Sequence, residues 1–269
     1  MNNTIGFIGT GNMGGALAIA AAKAMPAEQI YLTNRTAAKA EALADRLGCH
    51  LLPADMIAKE CAFIFLGVKP QQMGALLDEL SPILAQRKNE FVLVTMAAGL
   101  TLERIQTMAG GTYPVIRIMP NTPCAVGEGV IMYDKTENVS DAALELFLED
   151  MRFAGVLDHL PENLIDAGSA VAGCGPAYAA MFLEALADGG VACGLPRQKA
   201  LLYASQMLLG TAKLALETGK HPGQLKDEVC SPGGSTIQGV KALEDGALRA
   251  TVMSAIHAAH HRTQELGKA

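Results

Sequence analysis

From the start of the chain to about residue 160, short apolar runs alternate with amphipathic stretches, the strand, helix, strand pattern that builds a parallel sheet. The runs Ile5 to Ile8, Ile30 to Thr33, Phe63 to Leu66, Phe91 to Met96 and Val115 to Ile118 predict strands. Between the second and third lies Ala37 to Leu47, where Ala40, Leu43, Ala44 and Leu47 recur at helical spacing while Lys39, Glu41, Asp45 and Arg46 stay polar. This segment predicts a helix that Gly48 stops. Past residue 160 strand-like runs vanish and long Ala/Leu/Met segments take over, broken at Gly194-Leu195-Pro196, Gly219 to Gly223, Ser231 to Gly234 and Gly246. That half predicts helices alone. Some, as in Ala200 to Leu216, are apolar over most of their circumference and need burial on more than one side, for which a second subunit is the obvious source. The change of periodicity near Pro161 divides the chain into domains 1–160 and 161–269.

Composition removes several function classes. With 269 residues, 50% of them hydrophobic and 18% charged, and a formal charge of -6, the chain is neither disordered nor a basic nucleic-acid scaffold. Any phosphate it binds is held locally. No Trp and 4% aromatic residues leave no stacking platform for single strands, so no nucleic-acid partner is expected. Cys49, Cys61, Cys124, Cys174, Cys193 and Cys230 lie 12 or more residues apart, which offers no CxxC metal or redox pair. They read as buried free thiols of a reducing compartment, and the expected location is cytoplasmic. Met1 to Ala22 is uncharged but has no basic leader and holds five glycines; Ala167 to Leu183 is interrupted by Gly173-Cys174-Gly175-Pro176. Neither is expected to span a membrane. His257 and His261 stand four apart on a predicted helix without a Cys or carboxylate to complete a set, so no metal site is expected.

The strongest chemical signal is Ile5-Gly6-Phe7-Ile8-Gly9-Thr10-Gly11-Asn12-Met13-Gly14, an apolar strand running into G-x-G-x-x-G, with a helix expected over Gly15 to Lys23. In a dinucleotide-binding unit the first glycine permits the tight turn, the second lets backbone approach a pyrophosphate, and the third packs helix on strand. The anion sits on the helix N-terminus, where unpaired N–H groups and partial positive charge contribute roughly 0.3 to 2 kcal/mol. Gly9, Thr10, Gly11, Asn12, Met13 and Gly14 are the candidate cradle. A glycine-rich turn without a ligand is the alternative, but the flanking strand and helix and the spacing to the second strand favour a nucleotide. The fold class expected is α/β, a Rossmann-like doubly wound parallel sheet followed by an all-helical dimerisation domain.

An NAD-binding unit places an acidic residue about 20 positions after the last glycine, on the ribose 2′-hydroxyl. Here that position holds Asn34, followed by Arg35 and Thr36. No carboxylate repels a 2′-phosphate, and a guanidinium with a hydroxyl can bond one, each charged hydrogen bond contributing roughly 1.5 to 3 kcal/mol. NADP(H) is therefore the preferred cofactor and NAD(H) the alternative. The competing reading of Arg35 is a residue on a surface turn.

Two further turns stand out. Ser231-Pro232-Gly233-Gly234-Ser235-Thr236 precedes a helical pattern from Ile237 to Leu243, which puts uncovered backbone N–H groups and two hydroxyls at a helix start. An ordinary Ser/Thr cap and a neutral cradle for a carboxylate both fit that pattern. Gly173-Cys174-Gly175-Pro176 interrupts a helical stretch, with Pro176 suited to open a renewed helix; a plain kink and a space for a small ring both fit. Tyr178, two residues on, reads as a proton donor or as packing. Lys69, just past a strand end, reads as a cofactor contact or as a solvated lysine.

The chain resembles pyrroline-5-carboxylate reductase essentially end to end. The resemblance rests on Gly9-x-Gly11-x-x-Gly14, Val68-Lys69-Pro70, Met96-Ala97-Ala98-Gly99, Met119-Pro120-Asn121-Thr122-Pro123, Gly173 to Tyr178, Leu186-Ala187-Asp188-Gly189-Gly190 and, most specific, Lys226 to Thr236. It implies NAD(P)H-dependent reduction of a cyclic imine to proline. It implies that Gly9 to Gly14, Asn34, Arg35, Thr36, Val68, Lys69, Pro70, Met96, Ala97 and Ala98 line the cofactor. It further implies that Glu162, Gly175, Ser231, Gly234, Ser235 and Thr236 surround the pyrroline ring and its carboxylate. On that basis Thr236 is the candidate catalytic hydroxyl, bonding the ring nitrogen. The family also implies a homodimer through interlaced helical domains, often assembled into decamers. Two residues depart from it: Glu228 stands where some relatives carry Asn, and Cys174 where Ser is common.

Two other functions compete. A β-hydroxyacid dehydrogenase shares the domain order but carries Lys-x-x-Asn-Asn in its catalytic helix, and no such sequence occurs here. A non-catalytic NADP sensor would need the glycine motif but not the hydroxyl-rich helix start at Ser231 to Thr236.

Overall fold

The computed structural model describes residues 3–268. Eight strands, β1 (Ile5–Ile8), β2 (Ile30–Thr33), β3 (His50–Leu51), β4 (Phe63–Leu66), β5 (Val92–Thr95), β6 (Val115–Met119), β7 (Gly129–Lys135) and β8 (Gly155–His159), form one sheet. Their order is β3-β2-β1-β4-β5-β6-β7-β8. β3 through β6 pair in parallel, as does β7 with β8, while β6 and β7 are antiparallel. The helices between them are α1 (Asn12–Ala24), α2 (Ala37–Leu47), α3 (Ala54–Glu60), α4 (Pro70–Leu84), α5 (Leu102–Ala109) and α6 (Asp141–Met151).

The central strands β1, β4 and β5 are buried at every position because both faces of the sheet are covered there. Phe7, Phe63 and Phe65 point to one face, where Leu17 of α1 and Phe147 of α6 close a core. Ile8, Ile64 and Leu66 point to the other, against Ile57 of α3 and Met73 and Leu77 of α4. The doubly wound sheet expected from the alternation is present. Three strands carried no signal of that kind. β3 has two residues, both exposed, and β8 ends in Asp158 and His159 at a sheet edge. β7 returns antiparallel because the link from β6, through the 3-10 turn Thr122–Val126, is too short for the dozen or more residues that a parallel crossover needs.

The helical half comprises α7 (Glu162–Gly168), α8 (Gly175–Ala192), α9 (Arg197–Thr218), α10 (Pro222–Glu228), α11 (Ser235–Asp245) and α12 (Leu248–Lys268). The expected interruption at Gly173 to Pro176 is not a turn. Ser169–Gly173 is a π-helical segment, the Cys174 N–H donating to the Ser169 carbonyl at 2.9 Å, and Pro176 falls in the first turn of α8, where its missing N–H leaves no bond unmade. Helical residues thus follow one another from Glu162 to Ala192, and an 18-residue window within that run has a mean hydropathy of 1.4, long and apolar enough by length and composition alone to cross a membrane.

Two compact units divide the chain. One takes in the residues up to Cys174 and those from Ala259 onward; the other is Gly175–Ala258. This line falls later than the change of periodicity at Pro161, because Ile165 of α7 is buried with Met119 of β6 and Met132 of β7. In the second unit Ala187, Ala200 and Ala204 are buried between α8 and α9, while Met181 (69% exposed) and Leu216 (83%) are uncovered. That is the helix surface for which the sequence asked a second layer. The cysteines split: Cys49, Cys61 and Cys124 are buried, Cys174 and Cys230 half-buried, and Cys193 exposed, so the uniformly buried set expected is not found. Burial pushes the Cys49 thiol up to about 11 and the Cys61 thiol up to about 12, which keeps both protonated and unreactive.

Candidate active site

The chain leaves β1 toward β2 and β3 on one side, and returns to place β4 on the other. In open α/β sheets the crevice at such a reversal, past the carboxyl ends of the strands, is where ligands bind. The turns after β1, β4 and β5 lie side by side there, because the three strands are parallel neighbours.

Gly9 has φ +106°, and a Cβ on it would stand 2.5 Å from the Gly67 carbonyl oxygen of the turn after β4. A Cβ on Gly14 would stand 2.1 Å from the Gly9 oxygen. These two glycines pack backbone on backbone. Gly11 differs: a Cβ there would meet no atom within 4 Å, so the open space beside it is the kind a pyrophosphate can enter. α1 begins at Asn12, not at Gly15 as expected, since Gly11 already accepts the Gly15 N–H at 2.8 Å as the first helical bond. No side chain caps that helix start, and its first turn holds no acidic residue. The Thr10 hydroxyl is buried with no partner among the described residues. Uncapped amides, an unpartnered hydroxyl and a bare Cα together fit a bound diphosphate.

Asn34 takes up the adjoining position in an unexpected way. Its Oδ1 accepts the Thr10 N–H at 3.2 Å and its Nδ2 donates to the Thr36 carbonyl at 3.1 Å, so the amide ties the end of β2 to the glycine turn. Arg35 and Thr36 remain exposed beside it, and Arg35 has no ion-pair partner among the described residues. A cavity of about 350 Å³ opens there, lined by Thr33, Asn34, Ala37, Leu52 and Pro53 among others.

In the turn after β4, Val68 is half-buried against the core, Lys69 is exposed at the N-cap of α4, and Pro70 opens that helix. After β5, Ala97 is buried while Met96 and Ala98 are half-buried. The structure therefore gathers the sequence-predicted cofactor residues at the carboxyl ends of the strands β1, β2, β4 and β5. Glu162 belongs to the same unit, but its carboxylate is already engaged: Oε1 accepts the Leu102 N–H at 2.7 Å and pairs with Arg117 Nη1 at 3.1 Å. Sequence reasoning missed Arg117. The signal was a lone charge inside the apolar run Val115-Ile116-Arg117-Ile118-Met119.

In the second unit, Gly234 is the N-cap of α11 and Ser235 and Thr236 are its first residues, with no side-chain capping bond. Their hydroxyls and that of Ser231 are exposed and make no hydrogen bond among the described residues. The ordinary Ser/Thr cap is thus not made, and amides and hydroxyls stay available to an anion. Gly175 opens α8 with no atom within 4 Å of its absent Cβ. The Tyr178 hydroxyl donates to the Ala255 carbonyl at 3.5 Å, a packing role. Glu228 is paired with Lys220 at 2.7 Å, so its carboxylate is compensated within the unit. His261 lies 3.3 Å from Glu265, and no group of three or more possible metal ligands occurs among the described residues.

Residues 162–266 match the family model for pyrroline-5-carboxylate reductase dimerisation, and residues 4–99 match the model described as NADP oxidoreductase, coenzyme F420-dependent. The pyrroline-5-carboxylate reductase of Glycine max is 39% identical over 98% of this chain and 96% of its own length. That of Escherichia coli (strain K12) is 38% identical over the full length of both. The chain belongs to the pyrroline-5-carboxylate reductase family. Among solved structures, the Plasmodium falciparum pyrroline carboxylate reductase with NADP bound superposes with a TM-score of 0.87 at 30% identity, covering 99% of this chain and 98% of that one. The Coxiella burnetii pyrroline-5-carboxylate reductase gives 0.87 at 33% identity and 99% coverage of each. As a family member the chain is an oxidoreductase of the class acting on CH–NH bonds, with a Rossmann-like sheet and a helical segment that matches the family's dimerisation model.

Proposed function

We propose that this chain reduces the C=N bond of 1-pyrroline-5-carboxylate to L-proline, the last step of proline biosynthesis, with NADPH as the preferred reductant and NADH as the alternative. The observation that carries the reading is the occurrence, in one chain that matches its relatives end to end, of both a bare glycine turn at the sheet reversal and an uncapped, hydroxyl-bearing helix start in the helical half. NADPH, when bound, supplies a hydride. The chain's own residues do the rest. Amides at the starts of α1 and α11 hold the diphosphate and the substrate carboxylate without any arginine. Gly9 to Gly14, Val68 to Pro70 and Met96 to Ala98 line the cofactor, and Arg35 with Thr36 holds the 2′-phosphate. Gly175, Ser231, Gly234 and Ser235 surround the ring.

The reaction delivers a hydride to the imine carbon and leaves a proton on nitrogen. A protonated imine is already a good hydride acceptor, so placement is the protein's main task. The Thr236 hydroxyl serves the ring nitrogen, orienting it by a hydrogen bond and relaying a proton from water. The functional division is 1–160 for the dinucleotide and 161–269 for substrate and dimerisation, which the dimerisation model over 162–266 supports. A homodimer, assembled further into a decamer, in the cytoplasm, with no membrane and no nucleic-acid partner, completes the proposal. Mixing the purified chain with NADPH and pyrroline-5-carboxylate, and following loss of reduced-cofactor absorbance, tests it. Turnover is expected with this imine and not with β-hydroxyacids and NADP⁺. Tight NADPH binding without turnover would instead favour a sensor.

A further inference from the structure

Two side chains on one face of α7, Glu162 and Ile165, touch the segment that leaves β5, which on the reading above lines the cofactor through Met96, Ala97 and Ala98, and a third, Asp166, shares Arg117 of β6 with Glu162. Glu162 Oε1 accepts the N–H of Leu102, the first residue of α5, at 2.7 Å. Ile165 belongs to the buried cluster against which Ala98 packs, with Met119 and Met132. Asp166 Oδ1 is 2.7 Å from Arg117 Nη2, and Arg117 Nη1 is 3.1 Å from Glu162 Oε1. The spacing of 162, 165 and 166 is that of one helical face.

Arg117 sits on β6 with its side chain 3% exposed, whereas Glu162 and Asp166 are each 26% exposed. A guanidinium that deep needs its carboxylates, which are themselves half-buried. Its fork fixes two carboxylates one turn apart and so sets the rotation of α7 on the sheet. The start of α7 is pinned as well, since the Glu162 N–H donates to Asp134 Oδ2 at 2.7 Å. From the other side, Gly99 (φ +75°) lies against Gly267, where a Cβ on either residue would come within 2.8 Å of the other's backbone. Arg104 of α5 donates to the Gly267 carbonyl at 2.9 Å. The turn from Met96 to Thr101 is thus held at both flanks by contacts outside the glycine motif.

We infer that Arg117 and Glu162 are positioning residues for the cofactor: the carboxylate, oriented by the buried guanidinium, fixes the start of α5 and with it the turn carrying Met96 to Ala98. This rests on that turn lining the cofactor, and it assigns Glu162 to the cofactor side and not to the pyrroline ring. Glu162→Ala removes the acceptor for Leu102. Glu162→Gln keeps an oxygen in place, and Asp166→Asn weakens the Arg117 fork without touching the turn.

The test reads NADPH affinity from the cofactor's own fluorescence, together with the KM for pyrroline-5-carboxylate and the melting temperature, on the full chain. Glu162→Ala is expected to weaken NADPH binding by about tenfold while the KM for the imine stays within about twofold. Glu162→Gln is expected to recover most of that affinity, and Asp166→Asn to stay within about twofold of the unaltered chain. A raised imine KM with unchanged NADPH affinity in Glu162→Ala would overturn the inference in favour of a substrate contact. Equal weakening by Asp166→Asn would overturn it in favour of general destabilisation. Unchanged affinity and KM in Glu162→Ala would overturn it alone, whereas absence of NADPH binding by the unaltered chain would overturn the cofactor reading and this inference together.

Discussion

Two glycines of one motif are expected to fail in opposite ways when given a methyl group. At Gly14 the new Cβ would lie 2.1 Å from the Gly9 carbonyl oxygen, a backbone atom that no rotamer change can move. Overpacking of this kind destabilises by about 1 to 3 kcal/mol or more, which at about 2 to 4 °C per kcal/mol lowers the melting temperature by roughly 2 to 12 °C. At Gly11 the Cβ would meet nothing within 4 Å, and the backbone (φ -68°, ψ -165°) is one that alanine adopts. Losing a glycine from the N-cap costs at most about 1 kcal/mol. The methyl would instead stand where the pyrophosphate comes closest. Each hydrogen bond from an amide to a charged oxygen contributes about 1.5 to 3 kcal/mol, so even one lost bond weakens binding at least about tenfold. Thermal melting of the ligand-free chain and fluorescence titration with NADPH separate the two effects. Gly11→Ala should melt within about 3 °C of the unaltered chain yet bind NADPH at least about tenfold more weakly. Unchanged NADPH affinity in Gly11→Ala would refute the assignment of that space to the diphosphate, and an unshifted melting temperature in Gly14→Ala would refute the packing argument.

Other outcomes follow from single contacts. Arg35→Ala should lower kcat/KM with NADPH at least about tenfold, the worth of one charged hydrogen bond, and leave kcat/KM with NADH within about twofold; equal efficiency with both cofactors before and after the change would remove Arg35 from the 2′-phosphate. Thr236→Ala should lose turnover while NADPH affinity holds, as read by steady-state rates beside the same titration. Asp150 is 2% exposed; burial, more than any neighbour, raises its carboxyl above the usual range, although Asn3 donates to it at 3.0 Å. A raised folded-state value means that the stability tied to this group is full below the ordinary carboxylate pKa and is lost as pH rises through the folded one. Asp150 Oδ2 and Asn3 Oδ1 both lack partners among the described residues, and an amide at 150 can donate to the latter. Asp150→Asn should therefore melt higher at pH 7, by about 1 kcal/mol in denaturant titration, with the gain shrinking toward pH 4. A gain that grows on acidification would contradict the sign.

Much of the nucleotide half was legible because its signals are local. Apolar runs of four residues become strands covered on both faces, and the glycine spacing reads out a turn whose backbone contacts the structure then displays. The antiparallel β7 was not legible, since its direction is decided by a short link and not by its own residues. The π-helical passage at Ser169–Gly173 escaped for a different reason: glycine and proline signal a break, yet Pro176 falls in a first turn, where the helix tolerates it. Residues at the second site were visible as a motif, but the engagement of Glu162 was not. Its partners Leu102 and Arg117 are 60 and 45 positions away, and only the folded sheet brings them to its carboxylate.

The central claim is tested most directly by tracing the hydride. When the chain is given pyrroline-5-carboxylate and NADPH carrying deuterium at the transferable C4 position, the account predicts proline that bears a single deuterium on C5, the former imine carbon, in step with NADPH consumed. Oxidation of the cofactor without deuterated proline, or no oxidation by a chain that binds NADPH, would contradict it.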